Sequence, residues 1–154
     1  MPSLPLTDIS GRSPRALALM LFSGIWGNVC MWPALFVIPG LGNLALQDKV
    51  VWSSVQAASS AIVVYACRKE LGSEQSPSEM RISAIRILLK NVVLFLAVLS
   101  LTLPAFKPGQ EYAGTVALLF VSGLVNAAVL SPGLALLAIL SQYVMKPVAR
   151  WASQ

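Results

Sequence analysis

Glu79, Ser83, Arg86 and Lys90 recur at i, i+4, i+7 and i+11, so a helix would carry them on one face, with Ile82, Ile85, Leu88 and Leu89 on the rest. With Arg81 beside it, this basic stripe suits lipid phosphates or an acidic partner at the inner face of a membrane. The ordinary alternative is that Arg86 and Lys90 are long cations that snorkel to the interface and fix orientation. A second set is polar but uncharged, each member lying inside an apolar run: Asn28, Gln56, Ser60, Ser100, Thr102, Ser122 and Asn126. Such groups hydrogen-bond between packed helices at roughly 1 kcal/mol or less per bond. Small residues at four-residue spacing, Ser23/Gly27, Ala57/Ala61 and Gly123/Ala127, would let backbones approach closely beside them. A polar solute pathway built from Asn28, Gln56 and Asn126 is the other use for the same residues.

Other chemistries lack their residues. The chain has no histidine, which removes histidine-ligated haem, histidine-based zinc and iron sites and histidine general bases. Its two cysteines, Cys30 and Cys67, are too few for a four-cysteine metal site. Cys67 next to Arg68 and Lys69 has the setting of a reactive thiolate or an acylation site, and equally that of an ordinary residue at a helix boundary. No serine sits in a G-x-S-x-G turn. The expectation is a protein without enzymatic activity and without a cofactor or metal.

The elements that would hold these residues follow from composition. Of 154 residues 56% are hydrophobic and 11% charged, against about 25% charged in an average soluble domain. Mean hydropathy is +0.75, and the apolar residues fall in blocks rather than alternating with charges. That pattern excludes a soluble enzyme, a coiled coil and a disordered tail, and predicts an all-α integral membrane protein forming a single transmembrane domain. Spans are expected at about 16–38, 50–67, 85–106 and 113–144, with a cytoplasmic loop at 68–84. Ser13-Pro14 reads as a cap followed by proline at the first helical position. Ser76-Pro77-Ser78-Glu79 reads as a capping box. The last block would reach about 48 Å as a continuous helix and is expected to kink at Pro132, a re-entrant C-terminal half being the alternative.

Basic residues set the orientation. With both termini inside, Arg12, Arg15, Arg68, Lys69, Arg81, Arg86, Lys90, Lys146 and Arg150 are cytoplasmic, and only Lys49 and Lys107 face outward. The net charge of +5 thereby reads as topology, with no nucleic-acid partner expected. Trp32, Trp52 and Tyr112 fall near the outer boundary and Tyr65, Tyr143 and Trp151 near the inner one, as amphipathic rings prefer; Trp26 lies near the middle of its span. No Asp or Glu falls inside a predicted span, so proton coupling through an embedded carboxylate has no residue to use.

These features fit a multi-pass protein of a bacterial cytoplasmic (inner) membrane that works through helix–helix contacts. The partners expected are the lipid bilayer and either a membrane protein or further copies of the chain. Its role would be that of an accessory or structural subunit of a membrane complex, or a protective protein of the immunity or exclusion kind. The alternative is a small oligomeric transporter or channel component.

Overall fold

The computed structural model of the chain describes residues 9–32, 45–105 and 112–153. Among these, 93% are helical and no strand occurs. Six helices follow in order: α1 (Ile9–Met31), α2 (Leu46–Ala66), α3 (Arg68–Gly72), α4 (Pro77–Ala105), α5 (Tyr112–Val129) and α6 (Ser131–Ser153).

Four of them form the corners of a bundle. α1 packs on α2, α2 on α4, α4 on α6 and α6 back on α1, while α3 packs under α6 and α5 lies outside the ring on α4. Neighbouring corners run antiparallel, as the pairing shows. Asn28 reaches Ser53 and Gly24 faces Ala57; Trp52 meets Phe95 whereas Cys67 meets Lys90; Arg15 meets Trp151 whereas Cys30 meets Ser141. Two apolar clusters hold the bundle. One gathers Leu19, Val63, Cys67, Leu71, Met145 and Ala149. The other gathers Trp52, Val55, Phe95 and Leu96, with the Trp52 and Phe95 rings edge to face at 5.2 Å and 86°, a geometry worth about 0.5–1.5 kcal/mol beyond its buried area.

The helices differ from the sequence expectations at definite places. α1 begins at Ile9, so Pro14 lies inside it and not at its first position. Proline there forgoes one bond, to the Ser10 carbonyl in the opening turn, and the turn before it survives that loss. The stretch 33–38 of the first expected span, residue 106 of the third, and Lys107 lie outside the described residues. The expected loop at 68–84 is largely helical, containing α3 and the first turns of α4. The final block is not one helix kinked at Pro132. It divides at Leu130 into α5 and α6, and α6 runs on to Ser153, past the expected end at Val144. Pro132 has no N–H for the Ala128 carbonyl and its ring crowds that carbonyl, so the disruption falls in the turn before the proline. Bonds from Leu130 N–H to the Asn126 carbonyl (3.0 Å) and from Leu134 N–H to the Leu130 carbonyl (3.0 Å) tie the two pieces together across it. The consequence is that α6 alone forms the fourth corner.

Among the described residues, two helices are long and apolar enough to cross a membrane: Pro77–Thr102, with mean hydropathy 2.2, and Ser131–Ala152, with mean hydropathy 1.2. Gly114–Val129 is a shorter apolar helix. Large apolar side chains point away from the bundle in rows: Leu17, Leu21, Ile25 and Val29 on α1, Ile82, Ile85, Leu89 and Val93 on α4, Leu118, Val121, Val125 and Val129 on α5. The buried set, by contrast, includes Ser23, Gln56, Ser59, Ser60, Ser83, Ser100 and Gln142.

The start of α4 is capped as its sequence reads. Ser76 N–H donates to Glu79 Oε2 at 2.8 Å, and Glu79 N–H donates to Ser76 Oγ at 3.4 Å. The backbone bond from Ser76 and then the hydroxyl bond hold the Glu79 carboxyl below its ordinary range. A lowered folded pKa makes its contribution complete above the ordinary glutamate value and lost as pH falls through the lower folded value. Ser76→Ala is expected to cost about 1 kcal/mol. The hydrogen-exchange protection factor in the first turn of α4, corrected for the intrinsic rate at each pH, should fall as pH falls through that window in the native chain, and Glu79→Gln should flatten this pH dependence.

Candidate functional site: a cleft within the bundle

The close approach of α1 to α2 builds one wall. A Cβ on Gly24 would stand 3.2 Å from the Ala57 carbonyl oxygen, and one on Gly27 would stand 2.7 Å from Ser60 Cβ. Only glycine lets α1 lie this near, and the side chains of α2 next to the contact, Gln56, Ser59 and Ser60, are accordingly buried. The pairing is Gly24 and Gly27 against Ala57 and Ser60. Ser23, which the four-residue spacing couples with Gly27, is buried and donates to its own helix, at the Met20 carbonyl (2.9 Å).

Behind this contact lies a half-open, largely apolar cleft of about 120 Å³, lined from all four corner helices and by Leu71 of α3. Trp26 comes from α1, Gln56 and Ser60 from α2, Asn91 from α4, Ser141 and Gln142 from α6. No charged side chain lines it. Gln56 is 1% exposed; its Nε2 donates to Ser60 Oγ at 3.1 Å, whereas its Oε1 is buried with no hydrogen-bond partner. Trp26 Nε1 and Asn91 Oδ1 are likewise buried and unpaired. Asn28 Oδ1 and Ser83 Oγ are unpaired too, and each such buried group costs about 1–3 kcal/mol. Gln142 is different. With its amide oriented to satisfy both atoms, its nitrogen donates to the Met80 carbonyl at 3.3 Å and its oxygen accepts from Ala84 N–H at 2.9 Å, which pins α6 to α4. Cys30 Sγ and Ser141 Oγ lie 3.5 Å apart across the α1–α6 seam.

The remaining polar residues singled out in the sequence go elsewhere. Asn28 Nδ2 bridges to the Ser53 carbonyl of α2 at 3.1 Å, an interhelical bond. Ser122 Oγ donates to the Leu119 carbonyl at 3.1 Å and Asn126 Nδ2 to the Ser122 carbonyl at 3.0 Å, so both bond within α5, and both are exposed. The structure therefore does not bring Asn126 to Asn28 and Gln56.

The basic residues gather at one end of the bundle. Arg86 pairs with Glu70 of α3 at 3.3 Å, Lys90 Nζ donates to Cys67 Sγ at 3.7 Å, and Arg81 is exposed. Arg150 reaches the Gly72 carbonyl at 3.2 Å and Glu74 at 3.8 Å. Arg68 lies 4.2 Å from the centroid of the Tyr65 ring and Arg15 5.6 Å from that of Trp151. On α4 the stripe that carries Ser83, Arg86 and Lys90 thus turns in part toward α2 and α3, and the apolar Ile82, Ile85 and Leu89 turn outward. Both cysteines are free thiols, and Cys67 is buried in the apolar cluster at this end.

Sequence reading passed over Asn91, Gln142 and the indole of Trp26. Each had a signal, an amide inside an apolar run or a tryptophan away from either membrane boundary, but nothing in the sequence marked that they converge. No group of three or more His, Cys, Asp or Glu side chains that could hold a metal occurs among the described residues.

The wall predicts a contrast between glycines. Gly27→Ala should lower stability by about 1–3 kcal/mol, because its Cβ collides with atoms fixed to the α2 backbone. Gly133→Ala meets nothing within 4 Å and should be neutral or stabilising by up to about 1 kcal/mol. Thermal unfolding in mild detergent measures both. No family model, curated protein or solved structure matches the chain.

Proposed function

We propose that this chain is a non-enzymatic, multi-pass protein of a bacterial cytoplasmic membrane, with four spans and both termini inside, that works by contact with another membrane-embedded helix. The observation that carries the reading is the outer surface: rows of exposed leucine, isoleucine and valine surround an interior where serines and glutamines are buried between two apolar clusters. In water that arrangement exposes what should be buried; in a bilayer the same apolar rows meet hydrocarbon. The four antiparallel corner helices supply the crossings, and the cluster of Arg15, Arg68, Arg86, Lys90 and Arg150 at one end supplies the inward face.

The contact surface is the outer face of α5. This helix packs on α4 and contributes nothing to the ring, so most of it is left for something else. Ser122 and Asn126 lie one turn apart among exposed Leu118, Val121, Val125 and Val129. A serine–asparagine pair in a hydrocarbon-facing row is poorly matched to lipid and well matched to a partner helix that offers small and polar residues. The rival role, a small oligomeric transporter or channel component, would place further copies of the chain on the same face.

A photocrosslinker placed at Asn126 in native membranes should yield one discrete protein adduct, while one at Leu21 should yield lipid adducts only. Asn126→Leu together with Ser122→Ala should erase partner retention and change the stability of the chain by no more than about 0.5 kcal/mol. Lipid adducts alone at Asn126 would refute the contact reading. An adduct of twice the chain mass, with solute flux in liposomes, would favour the transporter. A reporter fused after Gln154 should read as cytoplasmic.

A further inference from the structure

We infer that the outward face of the last turns of α6, with Arg15 of α1 beside it, is a binding site for an anionic diacyl phospholipid whose headgroup carries a phosphate and no ammonium. The inference rests on the bilayer reading above, not on the partner proposed for α5, and adds which lipid the basic end of the bundle holds.

The site is a shallow, open groove lined by Tyr143, Lys146, Pro147, Arg150 and Trp151. These positions recur at i, i+3, i+4, i+7 and i+8, so they share one face of α6, away from the face that buries Gln142, Met145 and Ala149. The Arg15 guanidinium lies 5.6 Å from the centroid of the Trp151 ring and adds a third cation at the α1 edge. The cations differ in what already holds them. Arg150 is fixed on one side: its Nε donates to the Gly72 carbonyl at 3.2 Å, and a terminal nitrogen lies 3.8 Å from Glu74, whose side chain is 96% exposed. Among the described residues, neither Lys146 nor Arg15 has a carboxylate partner. The groove therefore presents positive charge that the protein itself leaves largely uncompensated.

The chemistry of the groove selects the headgroup. A phosphate diester accepts charge-assisted hydrogen bonds from an ammonium and from the guanidinium fork, and basic surfaces at the cytoplasmic ends of membrane helices take anionic headgroups in this way. A choline or ethanolamine headgroup would bring its ammonium among three cations, with no carboxylate in the lining to receive it. Beyond the groove the surface is apolar. Leu140 and Leu136 continue the outward side of α6, and Leu17 and Leu21 lead away from Arg15 along α1, each more than half exposed. Because α1 and α6 are antiparallel, both rows run from the basic end toward the other, as two acyl chains descend from one glycerol. Tyr143 and Trp151, exposed beside the cations, stand where amphipathic rings meet headgroups. Were Lys146 and Arg150 there only to offset the carbonyl end of α6, Arg15, in the second turn of α1, would have no part in the arrangement.

The test places the full chain in phosphatidylcholine nanodiscs containing a trace of one of two photoactivatable lipids, phosphatidylglycerol or phosphatidylcholine, each with a diazirine in its acyl chain, and maps the adducts by peptide mass spectrometry. Relative to α5, the phosphatidylglycerol probe is expected to label 136–151 about tenfold more than the phosphatidylcholine probe. Arg15→Gln with Lys146→Gln should cut that preference about fivefold or more, while Arg81→Gln, which removes an exposed cation from the same end, should leave it unchanged. Excess glycerol phosphate at constant ionic strength should not compete. If the double variant does not fold, Lys146→Gln alone reads the loss. Equal labelling of 136–151 by the two probes would overturn the inference and leave the bilayer reading intact, whereas no adduct with either probe would overturn both. A preference that survives the double substitution, or that Arg81→Gln reduces equally, would mean a diffuse basic surface in place of a site. Competition by glycerol phosphate would assign the groove to free phosphate and overturn the lipid.

Discussion

The backbone contact between α1 and α2 is the constraint on which the rest of the bundle depends. Gly24 and Gly27, adding no side chain of their own, let α1 lie directly against Ala57 and Ser60. That proximity buries Gln56, Ser59 and Ser60, which a wider separation would leave open. It also brings Trp26, one residue before Gly27, to the same interior space. The other corners then close around a polar layer between two apolar clusters, with Trp52, Val55, Phe95 and Leu96 on one side and Leu19, Val63, Met145 and Ala149 on the other. The cleft is what remains where small residues on α1 and α2 and the alanines of α4 and α6 leave the helices close but the middle unfilled.

The charged residues complete the arrangement at one end. Glu70 and Glu74, on and just after the short α3, receive Arg86 and Arg150. Each exposed pair is worth little by itself, about 0–1 kcal/mol. Their value is positional: they connect α3 to α4 and α6, while Arg15 and Arg68 settle on Trp151 and Tyr65. The aromatic rings at this end thus serve as cation platforms. Lys90 ends on the buried sulfur of Cys67.

Periodicity and punctuation made the helices legible, because a run of apolar residues long enough to be a helix announces itself and Ser76-Pro77-Ser78-Glu79 carries its cap in four letters. The break in the last block was legible as proline chemistry, although its position at Leu130, two residues before Pro132, and the separate fate of α5 and α6 depend on packing. The polar residues show where the limit lies. Asn28, Gln56 and Asn126 look alike in sequence, each a lone amide among apolar neighbours. Which of them meets another helix, faces the cleft or stays on an outer face is decided by the rotation of its helix about its axis, and the low contrast between the faces of these uniformly apolar helices does not encode that rotation. Asn91 and Gln142 were hidden for the same reason.

The central claim is that the rows of large apolar side chains on the outer faces of the corner helices meet hydrocarbon, while the buried serines and glutamines lie between two apolar clusters inside. Spin labels placed singly at Leu21, Ile25, Ile85 and Leu89 in a Cys30→Ser, Cys67→Ser background, reconstituted into bilayers, test it most directly through collision with molecular oxygen and with a water-soluble nickel complex. The account predicts mobile labels with high oxygen access and low nickel access at all four positions, while a label at Ser59 is immobile and reached by neither. High nickel access at Leu21 and Ile85, or immobilisation there equal to that at Ser59, would contradict it.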